Sequence, residues 1–467
     1  MSKTDYKKLT WLHLGAGAFH RAHQAWYLNQ LHLKGDTRWT IALANIRNSQ
    51  TQETLQRLSA QKGRYTLELI SPAGERRYQT ISSVSKIILW NPGMRSLIEE
   101  GAHPDTRIIS FTVTEGGYFL NDDCHLDLQH PAVIADLAGN SDPLTLYGAL
   151  IRILRQRLES SAGPVTLLSC DNLRNNGDSI LTGLTEFVQA SDDICLLKWT
   201  KSNVSAPNSM VDRITPKFDE KIFSRLAEHG IDGDQVPLSC ESFAQWVVQD
   251  RFIAGRPALE EVGVEFKDNV MHYEEKKIRI LNASHSGVAW AGALMGKDYI
   301  DESLTPQVVQ WIRDYVMHDV KKTLELNDAD LREYCDITLS RFSNRWVRDT
   351  TQRVSSDSIA KLHQYILPVI RAVYAQGARP HATMILSALW MRFMQRQQKE
   401  TLLFEYEDRA LEEVDFRAIF CAEDPLLAFT ESKKIWGGLS GHPELYKDML
   451  LALKCVDRGL EEAGVIA

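Results

Sequence analysis

Up to about residue 275 the chain alternates short β-rich runs with helical patterns; beyond that point the strand signals nearly stop. The β-rich runs are Leu9–Leu14, Trp39–Ala44, Tyr65–Ile70, Arg107–Val113 and Val165–Ser169, and helical patterns such as Phe19–Leu31 and Pro143–Leu158 fall between some of them. Alternation of this kind predicts a mostly parallel sheet covered by helices over residues 1–275. Downstream, helical patterns at Pro306–Glu325, Ser358–Ala375, Ala382–Gln398 and Glu444–Glu462 predict an all-α domain over residues 276–467, with breakers at Gly377, Pro380 and Gly437-Gly438.

Two domains also suit 467 residues, which exceed what one ordinary core holds. A hydrophobic fraction of 44% with 24% charged residues belongs to a folded chain. The net charge of -8 offers no overall basic field, so neither nucleic acid nor an anionic membrane is an expected partner. No apolar run reaches the roughly 18 residues needed to cross a bilayer. The polar opening Met1–Lys8 lacks the apolar stretch of a signal peptide. Seven scattered cysteines without a C-x-x-C pair suit free thiols in a reducing cytoplasm and argue against a disulfide framework or a zinc ribbon. No coiled-coil signature appears, and a monomer or small homo-oligomer is expected.

Directly after the first strand run stands Leu12-His-Leu-Gly15-Ala-Gly17-Ala-Phe19-His20. Gly15 permits a tight turn, and Gly17 lets backbone approach a pyrophosphate at a helix N-terminus, as in a Rossmann-type domain. The third glycine of the dinucleotide fingerprint is missing, since His20 stands there. Alone, such a G-x-G is as often a plain strand-to-helix turn; its place at the first βα junction favours a cofactor. An acidic residue after the second strand, which would hold ribose hydroxyls, is absent: the chain reads Asn45-Ile-Arg47-Asn48. Arg47 either faces a 2′-phosphate or is a solvated loop arginine, so NAD and NADP both stay open on residues alone.

Removing hydride from a secondary alcohol requires a base for the hydroxyl proton and donors for the developing carbonyl oxygen. No Cys/His cluster has zinc spacing, so side chains must do this work. The candidate is Lys277-Ile-Arg-Ile-Leu-Asn282-Ala-Ser-His285. On an α-helix Asn282 lies roughly 140° and His285 roughly 80° around from Lys277, on one side. A lysine base near neutrality needs its pKa, ordinarily about 10.4, lowered by ~2–3, which costs about 3–4 kcal/mol and calls for burial where the domains meet. An amide donor such as Asn282 is worth roughly 3 kcal/mol of barrier. Taken alone, a Lys/Asn/His triple is more often structural. Two further segments end in polar groups where a parallel sheet opens to ligand: Phe111-Thr-Val-Thr114-Glu115-Gly-Gly-Tyr118 and Ser169-Cys-Asp-Asn172-Leu-Arg-Asn-Asn176-Gly177. Asn172 is a second oxygen-binding amide or a helix cap; Glu115 is a proton-relay carboxylate or a cap.

Together these segments resemble the long-chain mannitol dehydrogenase family of polyol dehydrogenases and sugar-acid reductases. The match is carried by Gly15-Ala-Gly-Ala-Phe-His-Arg-Ala-His23, Thr112-Val-Thr-Glu-Gly-Gly-Tyr118, Ser169-Cys-Asp-Asn172, Val211-Asp-Arg-Ile-Thr-Pro216 and Lys277-x4-Asn282-x2-His285. The resemblance implies Lys277 as general base, Asn172 and Asn282 as oxyanion amides, and His285 and Asp212 in the substrate pocket. It also implies substrate contacts from Arg353 and Lys361, which the residues alone would leave as solvated cations. Cofactor contacts are expected from Gly15, Gly17, Phe19, His20, Asn48, Thr112, Val113 and Thr114. Within the family, Thr10-Trp-Leu-His-Leu-Gly15, Ala22-His-Gln-Ala-Trp-Tyr27 and Asp36-Thr-Arg-Trp39 look most like the arabinitol-oxidising members. This implies NAD-dependent, metal-free oxidation of D-arabinitol to D-xylulose, with D-mannitol to D-fructose second. Ala206, where mannitol-oxidising members usually carry Phe, implies a pocket of different size. The competing readings are a hexuronate reductase of the fructuronate or tagaturonate type and, from another class, a non-catalytic dinucleotide sensor.

Overall fold

The computed structural model describes residues 8–47, 51–121, 124–408 and 410–464. The chain divides into two compact units, one of residues 1–70 and 76–273, the other of residues 71–75 and 274–467.

The first unit is built on a six-stranded sheet of β1 (Leu9–Leu14), β2 (Trp39–Ala44), β5 (Val84–Ile88), β6 (Thr106–Phe111), β7 (Val165–Ser169) and β8 (Val204–Ser205). Its order is β5-β2-β1-β6-β7-β8 and every neighbouring pair is parallel. Numbered within the sheet this is 3-2-1-4-5-6, the doubly wound Rossmann order, whose connections reverse direction between β1 and β6. Helices cover both faces, so the strands are apolar on both sides. Leu12, Leu14, Ile109, Phe111 and Leu167 pack into one core cluster, and Trp11, Ile41, Leu43, Ile108 and Leu168 into the other.

Two three-stranded sheets accompany it. The run expected at Tyr65–Ile70 is β3, yet it joins β4 (Arg76–Ile81) antiparallel and β10 (Leu238–Glu241) parallel, outside the large sheet. In the other, β9 (Ser209–Asp212) pairs antiparallel with β11 (Gln245–Gln249), which pairs in parallel with β12 (Glu265–Lys267).

Among its described residues the second unit has no named strand, only an isolated bridge between Tyr299 and Thr350. At its centre runs helix Ala283–Leu294, in which every residue is buried except His285. Such a helix must be surrounded. It packs against Thr351–Ser355 and against the long helix His381–Gln398, which in turn packs on Leu445–Glu462. The expected helices at 306–325 and 358–375 are not continuous α-helix: each is interrupted by a π-helical turn, Tyr315–Asp319 and Leu362–Ile366. Among the described residues, no helix is long and apolar enough to cross a membrane.

Candidate active site

In an open parallel sheet a ligand binds outside the carboxyl ends of the strands flanking the reversal, here β1 and β6. Gly15, the first residue past β1, has φ +112, a conformation that favours glycine, and its N–H donates to the Ala44 carbonyl at 2.7 Å. Across from it Thr112 follows β6: a Cβ added to Gly15 would come within 3.7 Å of the Thr112 carbonyl and hydroxyl oxygens. Gly15, Gly17 and Thr112 thus form the two lips of one turn. The close backbone approach at the two glycines, beside the Thr112 hydroxyl, suits the pyrophosphate of a dinucleotide.

Next on the β6 side, Val113 and Thr114 donate their backbone N–H groups to the Asp171 carboxylate at 3.1 and 2.9 Å. Thr114 has φ 63 and ψ 165, a region costing a non-glycine residue roughly 1–3 kcal/mol, and the carboxylate grips the N–H of that residue. Tyr118 donates its hydroxyl to Asp171 at 2.9 Å. Asp171 is buried and follows β7, so it locks the β6 loop to the β7 loop that carries exposed Asn172. Asn172 does not cap the following helix; Asn175 occupies that position ahead of Asn176–Ala190. Glu115 opens a short 3-10 turn, Glu115–Tyr118.

Other expected cofactor contacts fall differently. His20 is fully buried, its ring stacked on that of His13 at 3.4 Å and 9°. Its side chain packs between helix and strand. Where a third glycine would allow close helix–strand packing, a flat stacked ring does so. Burial, with the charges of His23 and Arg21 behind it, brings the His20 imidazole down to about 3. Phe19 is half-buried and stacks on His23 at 5.0 Å. Arg47 is exposed and donates to the Leu144 carbonyl at 2.6 Å, while Asn48 lies outside the described residues.

Asp212 is buried at the end of β9. That strand is tied to the β7 loop by Asn176, whose amide donates to the Asp171 and Ser209 carbonyls at 3.0 and 2.8 Å and accepts the Ser209 N–H at 2.9 Å. One buried side chain thus fixes the stretches bearing Asn172 and Asp212.

In the second unit the expected α-helical spacing of Lys277 and Asn282 is replaced by a wider turn. Residues Lys277–Asn282 form a π-helical turn between α-helices Met271–Lys276 and Ala283–Leu294. The Ala283 N–H returns to the Ile278 carbonyl, five residues back. With i→i+5 closure, residues five apart stack along the axis, so Asn282 follows Lys277 by one turn instead of lying 140° away. Lys277 is buried at 6% exposure among Ile278, Ile280 and Leu281, which are buried too. Its neighbour Lys276 is half-buried, with its ammonium 4.2 Å from the centre of the Tyr334 ring.

His285, Arg353 and Lys361 come together around a residue the sequence did not single out, Asp349. Arg353 donates from Nε and Nη2 to the two Asp349 oxygens at 2.6 and 2.5 Å, and His285 Nε2 lies 3.5 Å from Asp349 Oδ2. The His285 ring stacks on Phe342 at 4.3 Å. Burial dominates the His285 imidazole; Asp349 opposes it, Arg353, Lys361 and Arg341 reinforce it, and the result is a pKa of about 3. Burial pushes the Asp349 carboxyl up, but Arg353 outweighs this and holds it below its ordinary value. Lys361 donates to the Val354 and Ser356 carbonyls at 2.7 and 2.6 Å. Among the described residues, no three His, Cys, Asp or Glu side chains are grouped to hold a metal ion.

Residues 10–261 match the mannitol dehydrogenase Rossmann domain, and residues 269–457 the mannitol dehydrogenase C-terminal domain. The chain belongs to the mannitol dehydrogenase family. A family relative from Klebsiella pneumoniae, D-arabinitol 4-dehydrogenase, is 46% identical over 94% of this chain and 96% of its own. Mannitol 2-dehydrogenase from Cereibacter sphaeroides is 35% identical over 98% of this chain and 96% of its own. Among solved structures, Pseudomonas fluorescens mannitol 2-dehydrogenase in ternary complex with NAD and D-mannitol matches with a TM-score of 0.87 at 31% identity, covering 100% of this chain and 94% of that one. In this family member, then, the sequence marks the segment that holds Asp171 and Asn176 without giving either a role, and it does not mark Asp349. The available signals were slight: Asp171 adjoins Asn172, and Asp349 stands four residues before Arg353, at helical pairing distance.

Proposed function

We propose that the chain is an NAD-dependent polyol dehydrogenase that oxidises one secondary hydroxyl of a sugar alcohol. D-arabinitol to D-xylulose is the first reaction and D-mannitol to D-fructose the second. The observation that carries this reading is a buried lysine one π turn from an asparagine, in a chain 46% identical to a D-arabinitol 4-dehydrogenase. Residues 1–275 serve as the dinucleotide-binding domain and 276–467 as the substrate and catalytic domain.

Lys277 enters the step unprotonated and takes the hydroxyl proton at Nζ, without a metal. As the carbonyl forms, the Asn172 and Asn282 amides donate to its oxygen, the charge-stabilising role in which one donor is worth roughly 3 kcal/mol. The bound nicotinamide supplies the acceptor for the hydride that leaves the same carbon. His285 is held neutral down to about pH 3, so it accepts or donates a hydroxyl hydrogen bond without adding charge. Asp212, Arg353 and Lys361 hold the remaining hydroxyls, and Glu115 is the proton-relay carboxylate. Gly15, Gly17 and Thr112–Thr114 hold the cofactor, with NADP a weaker alternative to NAD. The seven free cysteines suit a cytoplasmic setting.

The test is a panel of polyols and ketoses, with both cofactors and a chelator present, followed by nicotinamide absorbance. Growth of reduced cofactor with D-arabinitol and NAD is expected; turnover only of hexuronates would replace the reading with the reductase one. Arg353 and Lys361 are what favour that second reading, because guanidinium and ammonium groups also clamp carboxylates.

A further inference from the structure

The second reading turns on what Arg353 is free to bind, and Asp349 bears directly on that. Its carboxylate is 7% exposed, and its backbone is anchored as well, the carbonyl accepting from the Ile300 N–H at 3.0 Å. Thr350 caps the short helix Thr351–Ser355 by accepting the Arg353 N–H, which turns Arg353 back over Asp349 four residues earlier. The resulting contact is the two-pronged fork, Nε and Nη2 on one carboxylate, by which guanidinium groups recognise carboxylates best. That edge is already taken by the protein. The same carboxylate stands 3.5 Å from His285.

We propose that Asp349 is the positioning residue that sets the substrate class of this site. It orients Arg353 and His285 toward neutral hydroxyls and withholds the Arg353 fork from a carboxylate. The inference rests on the reading that Arg353 touches substrate. An acidic substrate would have to place its carboxylate beside the buried Asp349 charge. Two like charges about 5 Å apart near a protein surface discriminate on the order of 100-fold. A neutral ketose or polyol meets no such repulsion and finds guanidinium donors held still, which favours binding by preorganisation.

The experiment measures kcat/KM for D-fructose and for D-fructuronate, with reduced cofactor, in the wild type, Asp349→Asn and Asp349→Glu. The wild type is expected to prefer the neutral ketose by at least about tenfold, the Asp349 repulsion being partly offset by Arg353 and Lys361. Asp349→Asn is expected to cut that preference at least about tenfold, mainly through KM, while cofactor affinity holds and Asp349→Glu keeps the preference. Equal losses on both substrates in Asp349→Asn would overturn the proposal, because a merely structural residue does not move the ratio. If Asp349→Asn fails to fold, inhibition of the wild type decides: D-arabinonate should compete with D-arabinitol at least about tenfold more weakly than the polyol binds, and equal binding refutes the proposal. Failure of the polyol reading shows instead in the wild type alone, as absent turnover of every neutral substrate.

Discussion

Replacing Asp171 by Asn tests whether the crevice is built as described. The donors that reach the carboxylate include Val113 N–H at 3.1 Å, Thr114 N–H at 2.9 Å and the Tyr118 hydroxyl at 2.9 Å. A carboxylate offers about four acceptor positions, a carboxamide oxygen two, and the amide NH2 would face donors. At least one donor, part-buried at Val113 and Thr114 or buried at Tyr118, is left without an acceptor, at about 1–3 kcal/mol, and the remaining bonds lose their charge assistance. The sum is about 2–4 kcal/mol of stability. Because Thr114 then loses the grip that holds its glycine-like backbone, the β6 lip loosens, and NAD affinity should fall about tenfold for each 1.4 kcal/mol not recovered. Urea unfolding followed by circular dichroism gives the first quantity as a lower midpoint at unchanged slope, and fluorescence titration with NAD gives the second. Asp178→Asn is the control. That carboxylate is half exposed, pairs with Arg251 at 3.1 Å and accepts the Asn208 amide at 2.8 Å, and its loss should shift stability by less than that of Asp171. A shift below about 0.5 kcal/mol for Asp171→Asn with unchanged NAD binding would refute the reasoning.

Further outcomes follow from the same packing. Gly177→Ala puts a Cβ 2.4 Å from the Pro207 carbonyl oxygen and 2.6 Å from that of Ala206, both backbone. Despite alanine's better helix propensity, stability should fall by about 1–3 kcal/mol, read as a lower unfolding midpoint. Burial holds His13, His20 and His285 well below the ordinary 6.5. As pH drops below about 6.5 the unfolded chain binds protons that the folded chain refuses, so stability is present above that pH and lost below it. Urea midpoints between pH 7 and 5 should show this decline, and His20→Phe should flatten it; an unchanged slope in that variant would place the acid sensitivity elsewhere.

The first unit was legible because its strands are apolar on both faces and short, and the glycine turn marked where they open. Which strands pair is another matter. Tyr65–Ile70 reads like a strand of the main sheet, since residue pattern reports burial and not partners, and its partner β10 lies some 170 residues along the chain. The Lys277 segment was legible as a cluster of residue types, but its geometry was not. A π turn uses the same apolar residues as an α-helix and differs only in which carbonyl each N–H finds, so composition carries little trace of it. The packing of His20 was hidden for a related reason: the glycine fingerprint describes a backbone path, and a buried ring can fill the space that the third glycine leaves open. The roles of Asp171 and Asp349 were not legible because a buried acceptor is defined by the donors around it. Those of Asp171 stand more than 50 residues away.

The most direct measurement is the turnover of Lys277→Ala with D-arabinitol and NAD, beside its NAD affinity. A general base of this kind contributes about 10²–10⁴-fold, so turnover should fall by that factor or more while NAD binds within about threefold of wild type. Turnover close to wild type would contradict the assignment of Lys277 as the proton acceptor.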